Sequence, residues 1–185
     1  MGDEKNDLIL ITAAYPYGGH GESFLETEIL FLKEKFDKIY ILPNSNQITG
    51  SSRAVPANCE VLPFIFINPP SKWKRLFAML TSLWFWKEIT NRLNPFQFPH
   101  IFEQGMLAQS FLSKLQLFCE DKKIEPKRTV LYNYWFTMDS FASGLIQDKS
   151  KFKKAIARAH RFDLYEELDV KGYQPFKNQI IHFDS

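Results

Sequence analysis

The most constraining feature of this sequence is its opening order of apolar run, glycine loop, helical pattern and second apolar run. Residues 8–11 are continuously apolar, which is typical of a strand buried on both faces. Pro16 and the glycines that follow it end this strand. The next segment places apolar residues at helical spacing, at Leu25, Ile29, Leu32 and Phe36. A second strand is predicted at residues 38–42, so the chain opens with the βαβ unit of a doubly wound sheet and a right-handed crossover.

The remainder of the chain alternates strands and helices in the same way. Further strands are predicted near Val61 and at residues 129–132, 152–159 and 179–183. Helices are predicted at residues 73–93 and 101–119, and after the strand at 129–132 with core positions Phe141, Ala142 and Leu145. The predicted fold class is therefore α/β, with a Rossmann-like doubly wound parallel sheet.

The sequence ends at Ser185, directly after the last predicted strand and without a helix to cover the sheet. A natural domain rarely stops at such a point, because parallel sheets are normally covered on both faces. We therefore expect residues 1–185 to be a truncated N-terminal Rossmann-like domain, followed in the full-length protein by a second domain.

Composition and charge disfavour several classes of function. The net charge of +2 gives no global attraction for nucleic acid. The polar residues 1–7 do not form a signal peptide, and Cys59 and Cys119 form no CxxC motif and no ligand-like cluster. The longest apolar runs, at residues 61–70 and 76–86, are too short to span a bilayer. We expect a cytoplasmic protein without a structural metal.

Three predicted strand ends carry unusual residues, and ligands bind beyond the carboxyl ends of the strands in an open parallel sheet. The first is the loop at residues 15–23, where Gly18, Gly19 and Gly21 permit tight backbone. The helix that follows offers free N–H groups and the positive end of its dipole, which suits a phosphate or sugar hydroxyls. The alternative is an ordinary turn before a helix, although three closely spaced glycines exceed what a turn needs.

This loop does not complete a dinucleotide fingerprint. Phe24 stands where the third glycine of the fingerprint would lie. The second strand ends at Pro43 and Asn44 without an acidic residue to hold a ribose. The sequence therefore disfavours a nicotinamide oxidoreductase.

The other two strand ends are rich in aromatic and basic residues. Residues 133–139 contain three consecutive aromatic side chains, which either stack on sugar rings or pack between helices. His160 lies at a strand end between Arg158 and Arg161, which favour a nearby anion. The imidazole is therefore a candidate functional group, and the alternative is a structural histidine.

Together these loops resemble the N-terminal half of family 4 glycosyltransferases with the two-lobed GT-B fold, especially bacterial polysaccharide and lipopolysaccharide enzymes. The matching stretches, in order, are residues 15–18, 21–24 with Glu26, 133–135, 158–160 with 163–166, and 172–176. Each stretch alone is modest, and it is their ordered set that carries the resemblance. The resemblance is weak between residues 44 and 127.

The resemblance implies retaining transfer of a sugar from a nucleotide-sugar donor to a hydroxyl group of a saccharide or lipid-linked saccharide acceptor, in cell-surface polysaccharide biosynthesis. The donor is a substrate, and no cofactor is implied. Gly18, Gly19 and Gly21 would lie under the donor diphosphate or the acceptor, and His160 would be the catalytic residue against the transferring sugar. The other implied donor- or substrate-binding residues are Glu22, Asn133, Trp135, Arg158, Arg161 and Asp163. Because the C-terminal half holds most of the donor in this family, the 185-residue chain alone is expected to be inactive.

Two features depart from that family or only imitate it. Arg161 occupies a position that is often small in relatives, which alters the shape of that edge. Glu26 and Glu34 have the spacing of the family's carboxylate pair, but they lie in the Glu/Lys-rich first helix and are interpreted as a solvated face. The alternative function is a non-catalytic Rossmann-like module that binds a nucleotide or a sugar through the same loops. A second βαβ domain beyond Ser185 would favour the enzyme.

Residues 70–102 predict a surface that faces a membrane or a lipid-linked acceptor. From Lys72 to Arg92 there are five basic residues and one acid, Glu88. On one continuous helix the apolar residues form two faces, the first with Trp73, Leu76, Leu80, Leu83 and Trp84 and the second with Met79, Trp86, Ile89 and Leu93. Only one face is needed to pack on the sheet, so the other meets either an anionic interface or the helix at 101–119. The first case predicts a peripheral contact with the inner face of the cell membrane.

Overall fold

The computed structural model describes residues 6–18, 22–45, 52–91, 94–165 and 172–180. The strands in these ranges are β1 (Asn6–Thr12), β2 (Phe36–Pro43), β3 (Cys59–Val61), β4 (Thr129–Asn133) and β5 (Lys154–Ala157). The helices in them are α1 (Phe24–Lys35), α2 (Lys72–Leu80), α3 (Leu83–Asn91), α4 (Phe98–Asp121), α5 (Met138–Ser150), α6 (Arg161–Leu164) and α7 (Lys177–Ile180).

The five strands are parallel and form one sheet in the order β3-β2-β1-β4-β5. β1 lies at the centre, where Leu10 pairs with Ile41 of β2 and with Tyr132 of β4. The chain completes the β2–β3 side first and then crosses over to build the β4–β5 side. The predicted α/β class with a Rossmann-like doubly wound parallel sheet is confirmed. The loops after β1 and β4 diverge at this reversal of strand order, which is where open α/β sheets hold ligands.

The two faces of the sheet are covered by different helices because successive side chains along a strand point to opposite faces. Leu8 and Leu10 of β1 pack with Leu25 and Ile29 of α1. The alternate residues of β1 point to the other face, where α4 and α5 supply a larger cluster that includes Ile9, Ile11, Phe111, Leu115, Phe141, Ala142 and Leu145. The core positions predicted for α5 are therefore confirmed.

The segment predicted as one helix at residues 73–93 is in fact two helices, so that prediction is wrong. α2 ends at Leu80 and α3 begins at Leu83, and the hydroxyl of the capping residue Thr81 donates to the carbonyl of Phe77 at 2.9 Å. The break lets Met79 of α2 and Phe85 of α3 enter the same core. A wheel drawn for one uninterrupted helix cannot represent this geometry.

The assignment of apolar faces in this segment is wrong for the same reason. Leu76 and Trp84 were predicted to share a face with Trp73, but they are partly buried against the core while Trp73 is exposed. Trp86 and Met79 were predicted to share the second face, but Met79 is buried and Trp86 is exposed.

The predicted boundaries also need correction at two other places. Phe36 was assigned to the first helix but is the first residue of β2. Gln179 and Ile180 were assigned to a strand but belong to α7, and residues 181–183 of that predicted strand lie outside the described ranges. A short apolar run such as this one does not distinguish a strand from a helix. The Gln179 amide donates to Glu88 of α3 at 2.8 Å, so packing against α3 stabilises the helical conformation of this segment.

None of the helices within the described ranges has a stretch that is long and apolar enough to cross a bilayer.

Candidate functional site

The loop after β1 is held by the carboxylate of Glu22. Oε1 accepts from the backbone N–H of Ala13 at 2.7 Å, and Oε2 accepts from those of Ala14 at 2.9 Å and Tyr15 at 2.7 Å. Oε1 also accepts from the indole N–H of Trp135 at 2.7 Å. Glu22 is buried and has a φ of 65°, which is unfavourable for a residue with a Cβ atom. The four hydrogen bonds therefore hold both the loop and this backbone conformation.

Trp135, Tyr134 and His160 form a packed group of rings where β4 and β5 end. The ring centres of Trp135 and His160 are 4.2 Å apart, and those of Tyr134 and His160 are 5.3 Å apart. Because the indole of Trp135 also binds Glu22, this group connects the loops after β1, β4 and β5. The three strand ends singled out in the sequence therefore meet at one edge of the sheet.

Asp163 completes this group beside the imidazole. Its Oδ2 accepts from the backbone N–H of Phe136 at 3.1 Å and from that of His160 at 3.3 Å. The same oxygen lies 3.5 Å from Nδ1 of His160, which is buried and has no hydrogen-bond partner in the described part of the chain. A neutral ring with its proton on Nδ1 could donate toward this oxygen, whereas only the doubly protonated imidazolium would form an ion pair with Asp163.

Three of the predicted site residues lie around this group rather than in it. The side-chain oxygen of the buried Asn133 accepts from the hydroxyl of Ser143 of α5 at 3.2 Å. Arg158 donates to Glu28 of α1 at 2.8 Å, on the α1 side of the sheet. Arg161 is exposed at the first residue of α6.

The glycine loop is described only in part. Gly18 has a φ of 83°, a conformation that favours glycine, and its carbonyl accepts from Arg53 at 3.2 Å. Gly19 and Gly21 lie outside the described residues. Arg53 also pairs with Glu26 at 3.0 Å, and the side chains of Glu26 and Glu34 are 54% and 71% exposed, so the predicted solvated face of α1 is confirmed.

A cavity of about 610 Å³ opens beside this group at the carboxyl edge of the sheet. Its walls come from the loops after β2 and β4, from α4, and from residues in and near α6 and α7. The polar side chains that line it include Asn44, Gln104, Lys114, Asp139, Asp163 and Lys177. The volume lies in the range of small-molecule sites.

Asp139 and Asn44 form the acidic wall of this cavity. The Asn44 amide nitrogen lies 3.0 Å from each carboxyl oxygen of Asp139. Burial raises the pKa of the Asp139 carboxyl to about 6, and the hydrogen bond from Asn44 opposes that effect. This group therefore changes between a proton donor and a charged acceptor close to neutral pH.

Two lysines add positive charge to the same cavity. The ammonium group of Lys114 donates to the carbonyl of Phe64 at 2.9 Å, and burial, with a smaller effect from Arg75, lowers its pKa. The ammonium group of Lys177 lies 5.6 Å from the ring centre of Phe136. Carboxyl, amide and ammonium groups around one apolar cavity suit a ligand with several hydroxyl groups or an anionic group.

Of the polar residues named at the cavity, the sequence predicted a site role for Asp163 but not for Asn44, Gln104, Lys114, Asp139 or Lys177. Asn44 and Asp139 could have been found, since each lies just after a predicted strand and its loop. Lys114 carries no such signal, because only the packing of α4 on the sheet brings it to this edge.

Comparisons with protein-family models, with curated protein sequences and with solved structures found no match to this chain.

Proposed function

We propose that this chain forms the N-terminal half of a retaining glycosyltransferase, which moves a sugar from a nucleotide-sugar to a hydroxyl group of a saccharide or lipid-linked saccharide in cell-surface polysaccharide biosynthesis. The observation that carries the proposal is the meeting of the three resembling loops around Trp135 and His160, beside a cavity of about 610 Å³ at the reversal of strand order. Aromatic rings and carboxyl groups at such an edge are the groups that bind sugars.

The proposed reaction develops opposite charges at two points. The bond between the anomeric carbon and the diphosphate oxygen breaks, and its electron pair stays on the diphosphate. The acceptor oxygen forms the new bond on the same face of the sugar, and the acceptor proton passes to the leaving diphosphate. A catalyst for this reaction must orient both substrates and stabilise the developing charges.

In the proposal, His160 is the group that contacts the transferring sugar. Its ring is packed against Trp135 and Tyr134, and these contacts support its orientation. In the proposal, Asp163 and Trp135 position the imidazole, and the cavity lined by Asp139 and Asn44 accommodates the acceptor.

The second candidate is a non-catalytic module that binds a nucleotide or a sugar. It is favoured because three of the residues predicted to bind the donor or substrate already have partners within the chain. Glu22 accepts four hydrogen bonds, Asn133 accepts from Ser143, and Arg158 pairs with Glu28. Side chains with such partners stabilise the fold and are not available to a substrate. In this second candidate the cavity binds a ligand, and none of the residues around it takes part in a reaction.

The test is glycosyl transfer by the full-length protein, measured with nucleotide-sugar donors and saccharide or lipid-linked acceptors. We expect His160→Ala to lower kcat by about 100-fold or more while the melting transition is retained, as for a positioned group that acts in the transition state. The exposed Lys149→Ala serves as the control and should leave kcat unchanged. An unchanged kcat in His160→Ala would assign the imidazole to a structural role.

The 185-residue chain alone provides a second measurement. We expect it to melt cooperatively and to show no turnover with any nucleotide-sugar, because the donor is held mainly elsewhere in the proposed enzyme. Turnover by this chain would contradict the proposal that it is half of an enzyme. Absence of transfer by the full-length protein, together with sugar or nucleotide binding by this chain, would favour the binding module.

A further inference from the structure

We propose that α2, α3 and the start of α4 form a docking surface for anionic phospholipid bilayers. This surface, called the α2–α3 surface below, consists of Trp73, Phe77, Leu80, Leu83, Trp86 and Phe96, with Lys72, Lys74 and Lys87 among them. The proposal concerns a different part of the molecule from the cavity and does not depend on glycosyl transfer.

The apolar part of the surface begins as one stripe on α2. Trp73, Phe77 and Leu80 are spaced by four and three residues and therefore lie on the same side of the helix. The side chains of Trp73 and Phe77 are 78% and 71% exposed, whereas Met79 on the opposite side is fully buried. α2 is therefore anchored in the core by one side and presents a second apolar side outward.

The stripe continues across α3. The indole N–H of Trp86 donates to the carbonyl of Leu80 at 2.7 Å, so Trp86 lies against the end of α2. Leu83, the first residue of α3, is 88% exposed. The ring of Phe85 contacts those of Trp86 and Phe102, with centres 5.6 and 6.4 Å apart, and thereby connects α3 to the first turns of α4.

The first residues of α4 and the turn before it extend the surface. Phe96 is 91% exposed, and Phe98 contacts Phe102 with ring centres 6.3 Å apart. Single exposed apolar residues are normal on a protein surface, but a group of them on neighbouring elements, as on α2, α3 and the start of α4, marks an interaction site.

The exposed charged residues of α2 and α3 have one sign. Lys72, Lys74 and Lys87 are exposed, and none of them forms an ion pair within the ranges that the structure describes. Glu88, the acid that offset them in the sequence, is buried and accepts from the hydroxyl of Tyr173 and the amide of Gln179. The acid therefore faces the core, and the lysines face outward.

This combination fits an anionic bilayer better than a second copy of the chain. A symmetric contact between two such surfaces would bring positive charges together, which is unfavourable. Tryptophan rings lie at the level of lipid headgroups in membrane interfaces, and lysines beside them are attracted to anionic lipids. In this proposal, the membrane contact predicted for residues 70–102 is made mainly by the exposed aromatic and lysine side chains of α2 and α3.

The experiment is co-sedimentation of this chain with vesicles. The binding vesicles contain phosphatidylcholine with about 30% phosphatidylglycerol, and the reference vesicles contain phosphatidylcholine alone. We expect binding to the anionic vesicles at low salt, and weaker binding at about 0.5 M salt, where charges are screened beyond a few ångströms. The triple variant Lys72→Glu/Lys74→Glu/Lys87→Glu should reduce partitioning by about 100-fold or more.

Matched variants separate this surface from general hydrophobicity. Trp73→Ser/Phe77→Ser should abolish binding, whereas Phe24→Ser/Phe31→Ser should not, since those rings are 76% and 69% exposed on α1 at the other face of the sheet. Lys127→Glu/Lys149→Glu provides the corresponding charge control.

Three outcomes would overturn the proposal. The first is that the wild-type chain stays in the supernatant with anionic vesicles at both salt concentrations. The second is equal loss of binding in the α1 control and the α2 variant. The third is a stable dimer in solution that becomes monomeric in Trp73→Ser/Phe77→Ser, which would assign the surface to a second copy of the chain.

Discussion

Glu22 and Asp139 lie at the same edge of the sheet, but their carboxyl groups differ in the number of hydrogen-bond donors around them. In the closed half, which comprises Glu22, Trp135 and His160, the carboxylate of Glu22 accepts four hydrogen bonds. In the open half, which is the cavity with Asn44 and Asp139, the carboxyl group has the Asn44 amide as its donor, and burial raises its pKa to about 6.

The difference separates a group that supports the site from one that is available to a ligand. Glu22 is saturated by donors of its own chain, so a substrate would gain little from it. Asp139 lies at a cavity and retains acceptor capacity, because a carboxylate can accept about four hydrogen bonds. The residue type alone does not distinguish these two roles, whereas the number of internal donors does.

Removal of the Glu22 carboxylate should have the largest effect. Glu22→Ala leaves three backbone N–H groups and one indole N–H without their acceptor, and we expect the free energy of unfolding to fall by about 3–5 kcal/mol. Chemical denaturation of the 185-residue chain measures it. Glu34→Ala, at a side chain that is 71% exposed, should change stability by less than about 0.5 kcal/mol.

A second substitution at this position separates the hydrogen bonds from the backbone conformation. Glu22 has a φ of 65°, which glycine adopts readily. Glu22→Gly should therefore be about 1 kcal/mol more stable than Glu22→Ala, although both lose the carboxylate. If Glu22→Ala is as stable as the wild type, the loop does not depend on these hydrogen bonds.

The raised pKa of Asp139 in the open half should make the free energy of unfolding depend on pH. An aspartate in the unfolded chain titrates near pH 3.9, whereas the folded pKa of Asp139 is about 6. Between these values the folded protein holds a proton that the unfolded chain has lost, so the free energy of unfolding falls as pH rises. The contribution is fully present below about pH 4 and is lost above about pH 6, with a total of about 2–3 kcal/mol.

The matched variant for this test is Asp139→Asn, which cannot titrate. The difference in unfolding free energy between wild type and Asp139→Asn should shift by about 2–3 kcal/mol from pH 4 to pH 7, in favour of the wild type at the lower pH. Asp148→Asn, at a side chain that is 72% exposed, should show no such shift. A pH-independent difference for Asp139→Asn would mean that Asp139 is ionised like a surface residue.

The sheet was predictable from sequence because its signals are local. Continuous apolar runs bounded by turns predicted the strands that align with β1, β2 and β4, and the short run near Val61 predicted β3. The segment 152–159, which aligns with β5, gave a weaker signal because lysines interrupt its apolar residues. The break between α2 and α3 was not predictable from periodicity, because Thr81 and Ser82 are tolerated within helices and the core decides where the chain turns.

The site was predictable only at the strand ends. Topology brings such loops to one edge, so the meeting of residues 15–18, 133–137 and 158–163 follows from the order of strands. The hydrogen-bond partners at that edge were not predictable from the sequence. The four donors to Glu22, for example, depend on a loop conformation that the residue types do not determine. The position of Lys114 in the cavity wall was not predictable either, because it depends on packing between elements far apart in the chain.

The smallest effect should come from the indole N–H that joins the loops of the closed half. Trp135→Phe removes the donor that lies 2.7 Å from Glu22 but keeps an aromatic ring beside His160. Because Glu22 retains its three backbone donors, we expect a loss of about 1–2 kcal/mol in unfolding free energy. Trp73→Phe is the matched control, since that ring is 78% exposed and should change stability by less than about 0.5 kcal/mol. Equal effects of the two substitutions would show that the hydrogen bond from Trp135 to Glu22 does not stabilise this edge, and the support of His160 would then rest on ring packing alone.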